Sequence, residues 1–299
     1  MKQFKIVIII SEKIKNILKK LEFCVKIIVS IIPNAERTEQ YMAKVIAVAN
    51  QKGGVGKTTT AVNLAACIGT LKKKVLLIDF DPQGNASSGV GVDKEQLTAS
   101  VYDVLINQMP ISEVMIETKS KNLWVCPASI DLAGAEIELV SMENRNELLT
   151  KQILAVKENF DYIIIDCPPS LGLLTLNAFA AADSLLIPIQ CEYYALEGLS
   201  MMVQTIKSLK QSVNPKLCFE GVLLTMFDSR TNLSNQVTEE VKKFFPDSVF
   251  KTVIPRNVRL SEAPGYGEPI ISYDKYSKGA RSYLKLAKEI VKNNETKES

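Results

Sequence analysis

The chain has 299 residues, 46% of them hydrophobic and 23% charged, with a formal net charge of +3, the balance of an ordinary globular protein. It contains no histidine, which excludes Ser-His-Asp and Cys-His catalysis and any His-ligated metal, and leaves the chemistry to Lys, Asp, Thr, backbone amides and a bound ion. Its cysteines, Cys24, Cys67, Cys126, Cys167, Cys191 and Cys218, are scattered without a CxxC pair and read as reduced, buried thiols of a cytoplasmic protein.

Charge is uneven along the chain. Residues 1–41 carry eight Lys/Arg and four Glu, a net +4, so the remainder is −1. Any nucleic-acid contact must therefore use a local basic face. The apolar runs Phe4 to Ile10 and Cys24 to Ile32 are too short to span a membrane, and no small-residue cleavage site follows them. An amphipathic membrane-surface segment is one reading. The favoured expectation is a dispensable or misannotated extension, with Met42 as the usual start and residues 42–299 as a single domain.

Val45 to Ala49 reads as a strand and Thr60 to Ile68 as a helix. Between them lies Lys52-Gly53-Gly54-Val55-Gly56-Lys57-Thr58-Thr59. That order is the context a phosphate-binding P-loop requires. The glycines let successive N–H groups converge on phosphate oxygens, and the following helix adds the positive end of its dipole. Lys57 would reach the β- and γ-phosphates, and the Thr58 hydroxyl would sit on Mg²⁺.

Val75 to Asp79 is a continuously apolar strand of the buried, parallel kind, ending in Asp79-Phe80-Asp81-Pro82-Gln83-Gly84-Asn85. Acidic residues at a strand's carboxyl end beside a P-loop suit Mg²⁺ and water, and Asp81 is the stronger choice. Asp79 reads more readily as a capping residue in the turn. A helix is expected over Val101 to Gln108, a short strand over Leu123 to Pro127 with Trp124 in the core, and one long helix over Ala133 to Glu158. Tyr162 to Asp166 is a second buried strand, and Asp166 ends it as a carboxylate acting on Mg²⁺ through water. Cys167-Pro168-Pro169-Ser170-Leu171-Gly172 has the stiffness and hinge of a γ-phosphate sensor. Cys167 lacks the base or activating charges of a nucleophile.

Two further strand–helix units follow: Ser184 to Ile189 with Ala195 to Ser212, and Gly221 to Thr225 with Leu233 to Phe245. A strand over Val249 to Ile254 then leads into Pro255-Arg256-Asn257-Val258-Arg259. A last helix over Ser277 to Val291 ends in a polar, frayed tail. Strands alternating with helices imply an α/β fold with a doubly wound, mainly parallel sheet covered on both faces.

The pattern K-G-G-x-G-K-T-T resembles the deviant Walker A loop of the ParA/MinD ATPases. DFDPQGNAS, IIIDCPPSLGLLT, QCEYYALEGL, LLTMFDSRTNLS and VIPRNVRLSEAPGYG, in this order, resemble the ParA/Soj branch of chromosome- and plasmid-partitioning ATPases. The resemblance implies an Mg²⁺-dependent ATPase with a slow intrinsic rate, in which Lys52 reaches across a homodimer interface to the partner's nucleotide and Asp81 is needed for hydrolysis. It implies non-specific double-stranded DNA as a partner, with Arg230 the leading contact and Arg256 and Arg259 secondary. It places adenine against Met226, Pro255 and Asn257, and adds a ParB-like centromere-binding protein that stimulates hydrolysis. The implied location is cytoplasmic and nucleoid-associated, without stable membrane association. Forty-one residues are too few for the DNA-reading domain of large plasmid-type members.

Two rivals share the loop. A MinD-like membrane-cycling ATPase would end in a basic amphipathic helix, whereas this chain ends in Lys292-Asn293-Asn294-Glu295-Thr296-Lys297-Glu298-Ser299. A small-molecule kinase or ligase would use Asp81 for an acceptor and leave Lys52 without a role.

Overall fold

Val45–Val48, Val75–Ile78 and Ile163–Ile165 are aliphatic or alanine at every position, so neither face of these strands is left to water. In the computed structural model, which describes residues 42–192, 195–246 and 248–298, they form the middle of a seven-stranded sheet. The strands are β1 (Lys44–Val48), β2 (Val75–Asp79), β3 (Ile116–Glu117), β4 (Leu123–Cys126), β5 (Tyr162–Asp166), β6 (Ser184–Gln190) and β7 (Cys218–Thr225). Their order is β3-β4-β2-β5-β1-β6-β7, parallel throughout except for the β3–β4 pair. The longer helices are α1 (Lys57–Thr70), α2 (Leu148–Val156), α3 (Leu173–Ala181), α4 (Ala195–Ser212), α5 (Asn232–Phe244) and α6 (Lys278–Glu298).

Alternate side chains of one strand enter different cores, as the two-residue period of a strand requires. Val45, Ala47, Leu76, Ile78, Ile163 and Ile165 face one core, closed by Leu149 and Ile153 of α2, Phe179 of α3 and Val241 of α5. Ile46, Val48, Val75, Leu77 and Ile164 face the other, closed by α1 and by Tyr283, Leu286 and Ile290 of α6. The Thr60 and Tyr283 hydroxyls, 3.2 Å apart, join α1 to α6 inside this second core. The expected doubly covered sheet is thus present, and Trp124 lies edge-on to Phe160, 5.6 Å between ring centroids.

Several boundaries differ from expectation. Residues 133–158 are not one helix. Leu132–Glu138 and a following 3₁₀ turn, Leu139–Ser141, are separated from α2 by a break. In the break Asn144 takes a left-handed conformation, φ 52°, and the Arg145 carbonyl accepts from Asn177 Nδ2 of α3 at 2.7 Å. The gap is the wholly polar run Glu143-Asn144-Arg145-Asn146-Glu147, where the apolar spacing lapses, and reading one helix through it overlooked that lapse. The helix begun at Val101 stops at Leu105, and the antiparallel β3 was not anticipated.

Val249 to Ile254 is not a strand either. It touches the sheet edge only at its ends, through the Val222–Val249 and Phe227–Pro255 bridges. Its middle is drawn away by Glu289 of α6, which accepts from the amides of Lys251 (2.7 Å) and Thr252 (3.1 Å). Helix α6 itself runs to Glu298 rather than fraying after Val291. Asn294 is buried there, its Nδ2 donating to Glu220 Oε1 at 3.1 Å. Glu220 is the bulged residue of β7, since Leu185 pairs with Phe219 and Leu186 with Gly221. Its other oxygen accepts from Ser184 Oγ at 2.7 Å. Expectations for residues 1–41, Cys24 included, and for Tyr193 and Tyr194 fall outside the described residues.

Candidate functional site

Strand β1 lies between β5 and β6, and the loop 50–56 leaves its carboxyl end. The loop is tied down on both flanks. Asn50 Nδ2 donates to the Pro188 carbonyl at 2.8 Å, while its Oδ1 accepts from the Lys52 amide at 3.0 Å, a side-chain turn closed two residues on. Thr225 Oγ1 at the end of β7 donates to the Val55 carbonyl at 2.8 Å. Gly54 and Gly56 have φ of 74° and 88°, a region that side chains rarely tolerate. A Cβ on Gly53 or Gly54 would meet nothing within 4 Å, so this part of the loop is open to an incoming group. Gly56 caps α1, and Lys57, Thr58 and Thr59 form its first turn.

The parallel register sets the carboxylates. Asp79 of β2 lies opposite Asp166 of β5, and Asp166 opposite Val48 of β1. Asp79 is fully buried, and its Oδ2 accepts from the Ser87 amide (2.7 Å) and hydroxyl (2.6 Å). It therefore anchors the short helix Asn85–Gly89 through Ser87. Burial pushes its carboxyl up to about 6 despite those bonds. Asp166 is also fully buried, yet neither of its oxygens has a hydrogen-bond partner among the described residues. Its carboxyl is driven well above the usual range by burial and by neighbouring Asp79 and Asp81, with Thr58 and Lys57 opposing the rise. Asp81 stands half-exposed at the start of the loop after β2, its Oδ1 accepting from the Gln83 amide at 3.0 Å.

Two lysines of one loop have opposite settings. Lys57 is 7% exposed, and its Nζ donates to the Lys52 carbonyl at 3.2 Å. Burial lowers its pKa, against the pull of Asp166 and Asp81. Lys52 is exposed, and its Nζ pairs with Glu192 Oε2 at 3.3 Å. Lys57, Thr58, Asp81 and Asp166 are thus brought to one place, and Lys52 stands at its rim. Cys167 is buried beside them, its thiol pushed up by burial and by Asp166.

Met226, Pro255 and Asn257 are brought together past the end of β7. The Phe227 amide donates to the Ile254 carbonyl at 3.0 Å, and the Arg256 amide to the Phe227 carbonyl at 3.0 Å. Met226 is left-handed, φ 51°, and Asn257 Oδ1 is buried without a partner among the described residues. Arg230 is 86% exposed, and its guanidinium bonds both oxygens of Asp228, at 2.9 and 2.7 Å. The Arg230 bonds lead in holding Asp228 down to about 2, with Arg256 adding to them. Arg259 stands apart from these two, paired with Glu262 (2.8 Å) and Asp274 (3.7 Å).

Sequence reasoning missed Glu192, Asn50 and Thr225. Asn50 carried a signal, since Asn two residues before a loop amide favours such a turn. Glu192 and Thr225 reach the loop only through the fold.

Residues 43–219 match the AAA domain family. The chain is 59% identical over 252 residues to the sporulation initiation inhibitor protein Soj of Bacillus subtilis (strain 168), covering 84% of this chain and all of that one. It is 53% identical over 251 residues to the chromosome-partitioning ATPase Soj of Treponema pallidum (strain Nichols), covering 84% and 98%. Among solved structures, cobyrinic acid a,c-diamide synthase of Mycobacterium smegmatis with bound ADP and magnesium superposes with a TM-score of 0.72 at 38% identity, covering 83% and 93%. With its loop, its paired strand-end carboxylates and these relatives taken together, the chain belongs to the Soj/ParA family of chromosome-partitioning ATPases.

Proposed function

We propose that this ATPase is an ATP-gated switch in chromosome or plasmid segregation. Two copies close on each other over ATP, and the closed dimer binds double-stranded DNA without reading its sequence. A ParB-like partner then stimulates hydrolysis and returns the protein from the nucleoid to the cytoplasm.

ATP is the substrate, and the residues suit its polyphosphate with a divalent cation. An orphaned buried carboxylate, a desolvated ammonium and an open glycine loop at a helix N-terminus each lack a counterpart that Mg²⁺-ATP carries. The Thr58 hydroxyl and Asp81 would hold Mg²⁺, with Asp166 acting through a water, and the bound ion neutralises charge on the phosphates. Amides of Gly53 to Thr59 cradle the phosphates, and Lys57 compensates their β and γ charge. Asp81 orients the attacking water. Met226, Pro255 and Asn257 border the adenine.

The observation that carries this reading is the division between the two lysines. Lys57 is committed to its own loop, while Lys52 is exposed and held only by a surface ion pair, which costs little to exchange. A charge at that rim serves a nucleotide held by a second copy. Arg230 and Arg256 would meet DNA phosphates as exchangeable cations, with Arg259 a weaker contributor because Glu262 and Asp274 already occupy it. An acceptor-modifying enzyme, as the name of the 38%-identical neighbour describes for that protein, would leave Lys52 without a role.

The test is co-sedimentation of the full chain with non-specific DNA and with anionic liposomes, each with ATP and with ADP. ATP-dependent binding to DNA alone is expected. Lys52→Ala is expected to abolish it by preventing dimerisation, whereas Arg230→Ala should leave the dimer intact and weaken DNA binding about tenfold. ATP-dependent binding to liposomes without DNA binding would move the protein to the membrane-cycling class.

A further inference from the structure

The helix Leu132–Glu138 and its 3₁₀ extension bury only one side. Leu132, Ala135 and Leu139 enter the core. On the other side Ile137 and Val140, three residues apart, are 79% and 59% exposed, and Ile130, in the turn that leads into the helix, is 69% exposed. Apolar side chains so exposed in one stretch mark a contact surface rather than scattered surface residues. The same stretch, residues 130–147, holds five acidic residues against one arginine, a net charge of −4.

A second observation ties this helix to the hydrolysis site. Glu136 turns away from the stripe, toward the loop 167–172 that follows Asp166. Its carboxylate presses on Gly172 so closely that a Cβ there would collide with it. Glu136 Oε1 is buried without a hydrogen-bond partner among the described residues. Leu171, next to that contact, is exposed. A carboxylate packed against backbone and left unbonded is in a costly arrangement that an arriving cation would relieve.

We propose that the outer face of residues 130–141 is a docking surface for a cationic segment of a partner protein with apolar residues at helical spacing. Glu136 is the positioning residue that transmits docking to the loop after Asp166. The charge selects the occupant: residues 130–141 carry Asp131, Glu136 and Glu138 and no basic residue, so a second copy would bring the same negative charge to the contact, whereas a basic segment is attracted to it. On docking, the Glu136 carboxylate turns to the incoming cation and its pressure on Gly172 is released, so the loop is free to rearrange. This rests on the proposed stimulation of hydrolysis by a ParB-like partner and assigns that partner its surface.

The test uses the full chain with ATP, DNA and the ParB-like protein of the same genome. It follows ATP turnover against partner concentration, and amide hydrogen exchange for the site of contact. Protection over residues 130–141 is expected. Replacing Ile137 and Val140 together by Ser should raise the partner concentration for half-maximal stimulation about tenfold or more, with basal turnover and ATP-dependent dimerisation unchanged. Glu136→Gln should bind the partner within about twofold of normal yet lose most of the stimulation, a split that a merely structural residue would not give. If the parent protein is stimulated but protection falls elsewhere, or the double variant responds normally, the surface is wrong and the partner reading stands. Loss of dimerisation in the double variant would assign the stripe to a second copy instead. A parent protein neither bound nor stimulated would overturn the partner reading, and the surface with it.

Discussion

At the carboxyl ends of β2 and β5, charge is buried and unbalanced, whereas on the loops beyond β7 it is exposed and already paired. Asp79, Asp166 and Lys57 sit where water cannot solvate them, and among the described residues no hydrogen bond satisfies either oxygen of Asp166. Arg230 and Arg259 stand in solvent, held by Asp228, Glu262 and Asp274. Desolvated charge is costly unless a ligand completes it, while a surface ion pair is worth little and is easily replaced. The first region is therefore built to wait for one particular ligand. The second is built to trade partners, with a strength that salt can tune.

The largest effect is expected from Asp166→Asn. Phosphate release should fall about 10²–10³-fold, while in the nucleotide-free protein the variant loses the cost of ionising a buried carboxyl, so its urea midpoint should fall less than the parent's as pH rises. Retained turnover together with a midpoint that falls as the parent's does would break the contrast. Next, Glu192→Gln removes the resting counter-ion of Lys52. Light scattering with a non-hydrolysable ATP analogue should show a tighter dimer by a few-fold, against complete loss in Lys52→Ala. Asp228→Asn frees Arg230 and Arg256, so DNA titrations should show affinity raised a few-fold and a salt slope steeper by about one. An unchanged slope would mean that those arginines do not meet phosphate.

The smallest effect concerns pH. The Asp79 carboxyl is raised from its ordinary 3.8 to about 6, so the folded state keeps a proton that the unfolded chain has already released. Stability should fall as pH rises between those values, and below them the group contributes no penalty. Comparing urea midpoints of the parent and Asp79→Asn across this window should show a shallower fall in the variant.

What could be read from the sequence was what local chemistry decides. Val75–Asp79 and Tyr162–Asp166 were placed to the residue because a run of large aliphatics closed by Asp admits few other readings. The loop from Lys52 to Thr59 was equally plain, since its glycines and lysines fix both its shape and its ligand class. What stayed hidden depends on contacts between distant residues. The detour of Lys251 and Thr252 needs Glu289, and the last turns of α6 need Glu220, whereas the break at Asn144 was signalled by the polar run 143–147 and only its docking on Asn177 was hidden. The opposed settings of Lys52 and Lys57 are likewise a product of the fold. So is the pressure of Glu136 on Gly172, which joins two segments that give no sign of one another in the chain.

The way the sheet ends has a consequence for colloidal behaviour. One margin is the two-residue β3, and the other, β7, has Val222 and Leu224 covered by backbone bonds from Ser248, Phe250 and Ile254. A sheet with a long bare margin templates further strands and grows into aggregates. Here the margin is either too short or already occupied. Copies of this protein at high local concentration can thus crowd against one another without strand-to-strand polymerisation, and any association between them is left to side chains.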